Sequence, residues 1–140
     1  MDSPRTPAEI AALHQRATEA AQNSYSPYSH FRVGAAILLE DGAIVAGTNV
    51  ENASYRLTSC AEQAAIAAAV TLHGPAIRIR AVAVVNLNGA ACMPCGACRQ
   101  TILEFATPDT AIFYPSATGE TVTTTLAALL PNAFKLTTSH

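Results

Sequence analysis

The sequence predicts an α/β layered domain built on a mixed sheet. Three observations carry that prediction. Stretches with helical spacing alternate with short apolar runs in the order α-β-β-α-β-α-β-β, the pattern of a sheet covered by helices. Asp41-Gly42 joins two apolar runs and supplies hairpin turn chemistry. Ile79 to Asn86 is apolar, rich in β-branched residues and set between two helical stretches, so it reads as a buried strand. The 140 residues suffice for one domain, expected to span 1–140, with one real core.

Each element has a local reason. Thr6-Pro7-Ala8-Glu9 is a helix start, with Thr6 as N-cap, Pro7 in the first turn and Glu9 closing a capping box. The helix is expected to run to about Asn23, with Ile10, Leu13 and Ala17 on one face. Ser24 to His30 is a loop. Phe31 to Leu39 and Ala43 to Asn49 are the hairpin strands, and Val50 to Thr58 is polar and irregular. The alanine run from Ala61 to Leu72 is a helix, capped by Thr58 or Ser59 and stopped at His73-Gly74-Pro75. After the Ile79 strand and a loop from Asn88 to Pro94, a helix is expected from Cys95 to about Phe105. Thr110 to Tyr114 and Thr121 to Thr124 are strands, and Leu126 to Leu130 makes a short helical turn before Pro131.

Composition narrows the function. Half the residues are hydrophobic and 13% are charged, about half the usual ~25%. Alanine makes up about a fifth of the chain. A surface so poor in charge suits contact with copies of the same chain. Net charge is −2, and the eight basic residues are scattered, whereas phosphate binding needs clustered Lys and Arg. Nucleic acid is therefore not an expected partner. No stretch nears the ~18 apolar residues of a membrane span. Met1 to Arg5 has no apolar leader pattern, so the expected location is the cytoplasm.

The chemistry lies in two cysteine clusters. Cys60 precedes one predicted helix, and Cys95 and Cys98 open another. Helix N-termini present free N–H groups and positive potential, which favour thiolate. Residues three apart on a helix project to the same side, and Cys60 can close a third corner. Three protein ligands leave a tetrahedral zinc with one open position, the arrangement of a catalytic site. Glu62, two residues past Cys60, can face that position without being a ligand and can move protons there.

Cys60-Ala61-Glu62 followed by Pro94-Cys95-Gly96-Ala97-Cys98 resembles the signature of zinc nucleoside and nucleobase deaminases. Further motifs narrow the resemblance. Tyr28-Ser29-His30-Phe31-Arg32-Val33-Gly34-Ala35-Ala36, Asn49-Val50-Glu51-Asn52-Ala53, Arg99-Gln100, and Leu129-Leu130-Pro131 with Phe134 are similar to the small homotetrameric cytidine deaminases. The resemblance runs from about residue 20 to 134. It implies a three-layer α/β/α fold with a mixed five-stranded sheet, one Zn²⁺ per subunit on Cys60, Cys95 and Cys98, and Glu62 as the catalytic acid–base. It also implies that Phe31 stacks near the pyrimidine, that Asn49 and Glu51 bind the ribose, and that the Ala61 N–H meets the base carbonyl. Tyr55 and Phe134 would reach into a neighbouring subunit's pocket. The implied reaction is hydrolytic deamination of cytidine and 2′-deoxycytidine in pyrimidine salvage, within a homotetramer with composite sites.

One departure stands out. Three-cysteine members of that family commonly have Arg after the catalytic Glu, and Gln63 stands there instead. Gln63 together with two helix N-termini is expected to offset the net negative charge of three thiolates and a zinc ion.

Competing readings remain at this level. Cys92 could be a fourth ligand of a purely structural metal site, or part of an iron–sulfur run, but this leaves Glu62 and Pro94 unexplained; Cys92 reads as an uncommitted thiol near the site. Arg99 could simply bond backbone at a subunit contact. Three further functions are a deaminase of a cytosine-containing antibiotic nucleoside, a polynucleotide editor acting on an extruded base, which the lack of a basic surface and the short length disfavour, and a non-catalytic metal-stabilised module. Phe31 alone would read as core packing, and Asn49 and Glu51 as ordinary loop residues.

Overall fold

The computed structural model describes residues 6–134 and residue 136. Met1 to Arg5, where no leader was expected, lie outside the described residues. A five-stranded sheet has the order β2-β1-β3-β4-β5. It comprises β1 (Val33–Leu39), β2 (Ile44–Thr48), β3 (Ile79–Asn86), β4 (Ala111–Pro115) and β5 (Thr121–Thr125). β3 and β4 are parallel and the other neighbours antiparallel, so the sheet is mixed. α1 (Pro7–Ala21) covers one face, α2 (Ala61–His73) and α3 (Gly96–Leu103) the other, and α4 (Leu126–Leu129) follows β5. The three-layer α/β/α fold is thus the one expected.

Local chemistry sets the elements. Thr6 and Glu9 make both bonds of the capping box, at 3.0 and 3.1 Å. Gly42 takes φ +93° in the hairpin turn, where a side chain would be strained. β1 is buried along its whole length, because α1 lies on one side and α2 on the other.

Several boundaries differ from expectation, α3 for instance ending at Leu103 rather than Phe105, and three of the differences have a reason in the hydrogen bonds. α1 ends at Ala21 rather than Asn23, where the Gln22 carbonyl accepts from the Arg32 guanidinium at 2.5 Å. β1 starts at Val33 rather than Phe31, since the Phe31 carbonyl and the Arg32 N–H bond to the Asn49 and Asn88 side chains, and their one backbone–backbone bond among the described residues is from the Leu87 N–H to the Arg32 carbonyl at 3.0 Å. The N-cap of α2 is Cys60 itself, because Ser59 pairs with Val50 and the Thr58 hydroxyl accepts from the Asn52 N–H. A 3₁₀ turn, Tyr55–Leu57, also forms in the stretch read as irregular.

Two glycines let the helices sit close to the sheet. A Cβ on Gly34 would lie 1.9 Å from the Ala17 carbonyl oxygen, and one on Gly47 would lie 2.5 Å from the Ala65 nitrogen. Gly47 thus sets the approach of the first turns of α2, and with it Cys60 and Glu62. The obstacles are backbone and cannot swing away. Gly34→Ala is expected to destabilise the protein by about 3 kcal/mol, the upper end of ordinary overpacking. A urea midpoint equal to wild type at unchanged slope would contradict this.

Candidate functional site

Cys60 and Cys95 occupy the N-cap positions of α2 and α3, and neither side chain makes a capping bond. Both sulfurs are therefore available at the positive ends of two helices. Cys98 lies one turn into α3 and is fully buried. The three Sγ atoms lie within 4.8 Å of one another, and those of Cys95 and Cys98 are 3.4 Å apart. A tetrahedral zinc with Zn–S bonds near 2.3 Å would hold its sulfurs about 3.8 Å apart, so this cluster fits the ion in donor type and spacing.

The sulfurs share their protons unequally. The Cys98 thiol donates to Cys60, which brings the Cys60 pKa down to about 7 and pushes that of Cys98 up. Cys60 is thus the first of this pair to become thiolate.

Glu62, in the first turn of α2, is 5% exposed. Burial raises the pKa of its carboxyl, against the pull of its own backbone N–H and the Cys98 thiol. A carboxyl so placed holds a proton more firmly than one in water, which suits a group that takes and returns protons.

These groups face one cavity of about 210 Å³. Phe31, Asn49, Ala61, Glu62, Cys60, Cys95 and Cys98 all line it, so seven of the residues singled out from the sequence converge. Ala61 is the first residue of α2, and its N–H has no hydrogen bond among the described residues. Such an orphan donor at a cavity wall is ready for a ligand acceptor. The Asn49 amide is largely committed. Its Oδ1 accepts from the Ser24 hydroxyl at 2.5 Å and from the Val33 N–H at 3.1 Å, and its Nδ2 donates to the Phe31 carbonyl at 2.8 Å. One amide hydrogen is left over.

Glu51, Tyr55, Gln63 and Phe134 are not among the lining residues. The Glu51 carboxylate ties down the preceding loop, accepting from the Tyr28 and Ser29 N–H groups at 3.0 and 3.2 Å and from the Ser29 hydroxyl. The hydrogen bond from the Ser29 hydroxyl holds the Glu51 pKa below the usual carboxylate value. Tyr55 and Phe134 are 91% and 69% exposed, although the Phe134 carbonyl accepts from the Gln100 amide at 2.8 Å. Gln63 is half-buried, and its amide makes no hydrogen bond among the described residues. The guanidinium of Arg99 bonds the Pro94 and Leu129 carbonyls, both at 2.7 Å, and meets the Met93 sulfur at 2.8 Å. Arg99 thus bonds backbone, as the plainer reading has it, and the carbonyls it bonds belong to its own chain.

Sequence reasoning missed Val33, Thr58, Ser59 and Met93, which complete the lining. Adjacency held the signal for three of them: Thr58 and Ser59 precede Cys60, and Met93 precedes Pro94-Cys95. Cys92 also lines the cavity. Burial, with the nearby Glu62 and Cys60 charges, pushes its thiol pKa up to about 11, so it stays protonated where Cys60 ionises.

Residues 7–114 match the family model described as the cytidine and deoxycytidylate deaminase zinc-binding region. The chain is 45% identical over 124 residues to a cytidine deaminase of Mycobacterium tuberculosis, covering 89% of this chain and 88% of that protein. It is 42% identical over 123 residues to a cytidine deaminase of Halalkalibacterium halodurans, covering 87% and 91%. The crystal structure of the Mycobacterium tuberculosis cytidine deaminase superposes with a TM-score of 0.79 at 44% identity, covering 91% of this chain and 98% of that one.

Proposed function

The chain belongs to the cytidine and deoxycytidylate deaminase family, and on that premise we propose that it hydrolyses cytidine to uridine and ammonia, and 2′-deoxycytidine in the same way. The observation that carries this reading is the buried Glu62 carboxyl beside three converging thiols, in a cavity that also holds an aromatic ring and an orphan N–H.

Cys60, Cys95 and Cys98 would hold one zinc ion per subunit, which would supply Lewis acidity and make water a nucleophile near neutral pH. Glu62 does the proton work. Its carboxylate takes a proton from the attacking water and passes it to the ring nitrogen, then takes the proton of the hydroxyl newly bonded to the base carbon and gives it to the departing ammonia as the carbonyl forms. Its burial keeps these transfers from leaking to solvent. Phe31 lies against the pyrimidine face, and the Ala61 N–H donates to the base carbonyl. The spare amide hydrogen of Asn49 donates to a ribose hydroxyl. Glu51, ionised at neutral pH, has lone pairs left to accept from the 3′-hydroxyl. The N-termini of α2 and α3 offset the thiolate charge; Gln63, whose amide makes no hydrogen bond among the described residues, donates to none of the sulfurs.

The cavity, at about 210 Å³, falls below the ~300–1,000 Å³ of ordinary ligand pockets. A second copy completes it. Tyr55 and Phe134, large aromatics left in solvent on one chain, are the side chains placed to do so, within a homotetramer. The protein acts in the cytoplasm, in pyrimidine salvage. No helix among the described residues is long and apolar enough to cross a membrane.

Incubating zinc-loaded protein with cytidine and following ultraviolet absorbance tests the reading. Uridine and ammonia should appear in equal amounts. No conversion by protein carrying one zinc per chain would overturn it, and faster turnover of a cytosine-containing antibiotic nucleoside would favour that alternative substrate.

A further inference from the structure

Asn88 lies in the loop between β3 and α3 and is not among the residues lining the cavity. Its amide nevertheless reaches across to the aromatic wall. Oδ1 accepts from the Arg32 N–H at 2.9 Å, and Nδ2 donates to the His30 carbonyl at 2.9 Å. Those two backbone groups flank Phe31. A single side chain thus grips the peptide on both sides of the ring that the functional reading sets against the base.

The grip has a reason. His30 has φ +60°, a left-handed conformation that costs a non-glycine residue free energy and persists only where its surroundings hold it. The Asn88 bond holds its carbonyl, and a 2.9 Å bond to the Ser26 carbonyl holds its N–H. Phe31 itself is fixed through its N–H to the Ser29 hydroxyl at 3.0 Å and its carbonyl to Asn49 at 2.8 Å. On the other side Asn88 is anchored in its own loop. Its N–H donates to Asn86 Oδ1 at 2.9 Å, and the Asn86 amide clasps Ala90 at both its N–H and its carbonyl. That loop continues into Cys92 and Cys95.

We propose that Asn88 is a positioning residue for substrate binding, an amide tether that sets Phe31 by joining its segment to the loop leading into the metal ligands. The inference rests on the reading of the cavity as a nucleoside pocket. It separates binding from chemistry. The ring contacts the base in ground state and transition state alike, so loosening it weakens both equally.

The test uses zinc-loaded Asn88→Ala and Asn88→Asp, at a temperature where circular dichroism shows wild-type secondary structure. Cytidine kinetics are measured alongside calorimetric binding of uridine. KM and the uridine Kd should rise together by about tenfold, the scale of a lost pair of hydrogen bonds. Turnover number should stay within about twofold and zinc content should not change. A KM and Kd equal to wild type would overturn the inference, even if the melting temperature fell, and so would a loss of turnover number at unchanged KM. Should Asn88→Ala not fold, the isosteric Asp variant carries the reading: it loses the N–H that donates to the His30 carbonyl, keeps an acceptor for the Arg32 N–H, and must show the same split. A wild-type protein that neither converts cytidine nor binds uridine would sink the functional reading itself, a result distinct from any change in the variants.

Discussion

Glu62→Gln is expected to lower the turnover number by about 1,000-fold or more while leaving zinc content unchanged. General acid–base groups contribute about 10²–10⁴ in rate, and here one carboxyl serves several transfers in sequence. The substitution keeps the side-chain volume in a site that is 5% exposed, so packing is preserved. It removes the one carboxyl that lines the cavity among the described residues. Loss of zinc along with activity would make Glu62 a support of the metal rather than a proton carrier. Retained turnover would remove it from the mechanism.

The metal triad was legible in the sequence because its geometry is local. Cys95 and Cys98 share one helical turn, and a helix start before Ala61 follows from the alanine run, so sulfurs at two helix N-termini could be foreseen. The element order and the mixed sheet followed from hydrophobic period and from the Asp-Gly turn. What stayed hidden depends on contacts between distant segments. Asn88 meets His30 and Arg32 only because β1 and β3 are neighbours in the sheet, and nothing in an isolated Asn announces that. Glu51 could be singled out by motif, but its grip on Tyr28 and Ser29 could not. Phe31 reads as a strand residue by pattern. Its backbone leaves the ladder because the Ser29 hydroxyl takes its N–H and the Asn49 amide takes its carbonyl in place of a strand partner.

Cys98→Ala should reduce zinc affinity by more than about 100-fold, since loss of partners that merely support a ligand already costs about 10–100-fold. Cys98 is fully buried and its sulfur is within reach of both other thiols, so no outside group can take its place easily. Activity should fall with the zinc and should not return on adding zinc at wild-type concentrations. Cys92→Ala is the contrast. It should leave zinc content unchanged, because among the described residues the converging sulfurs are those of Cys60, Cys95 and Cys98, and the Cys92 sulfur is not one of them. Equal zinc loss in both variants would make Cys92 part of the metal set.

X-ray absorption at the zinc edge of the wild-type protein addresses the coordination directly. Cys60, Cys95 and Cys98 predict three sulfur neighbours at about 2.3 Å and one lighter neighbour at about 2.0 Å. Four sulfur neighbours would mean that Cys92 closes the site, leaving no position for reacting water, and would contradict the deaminase mechanism.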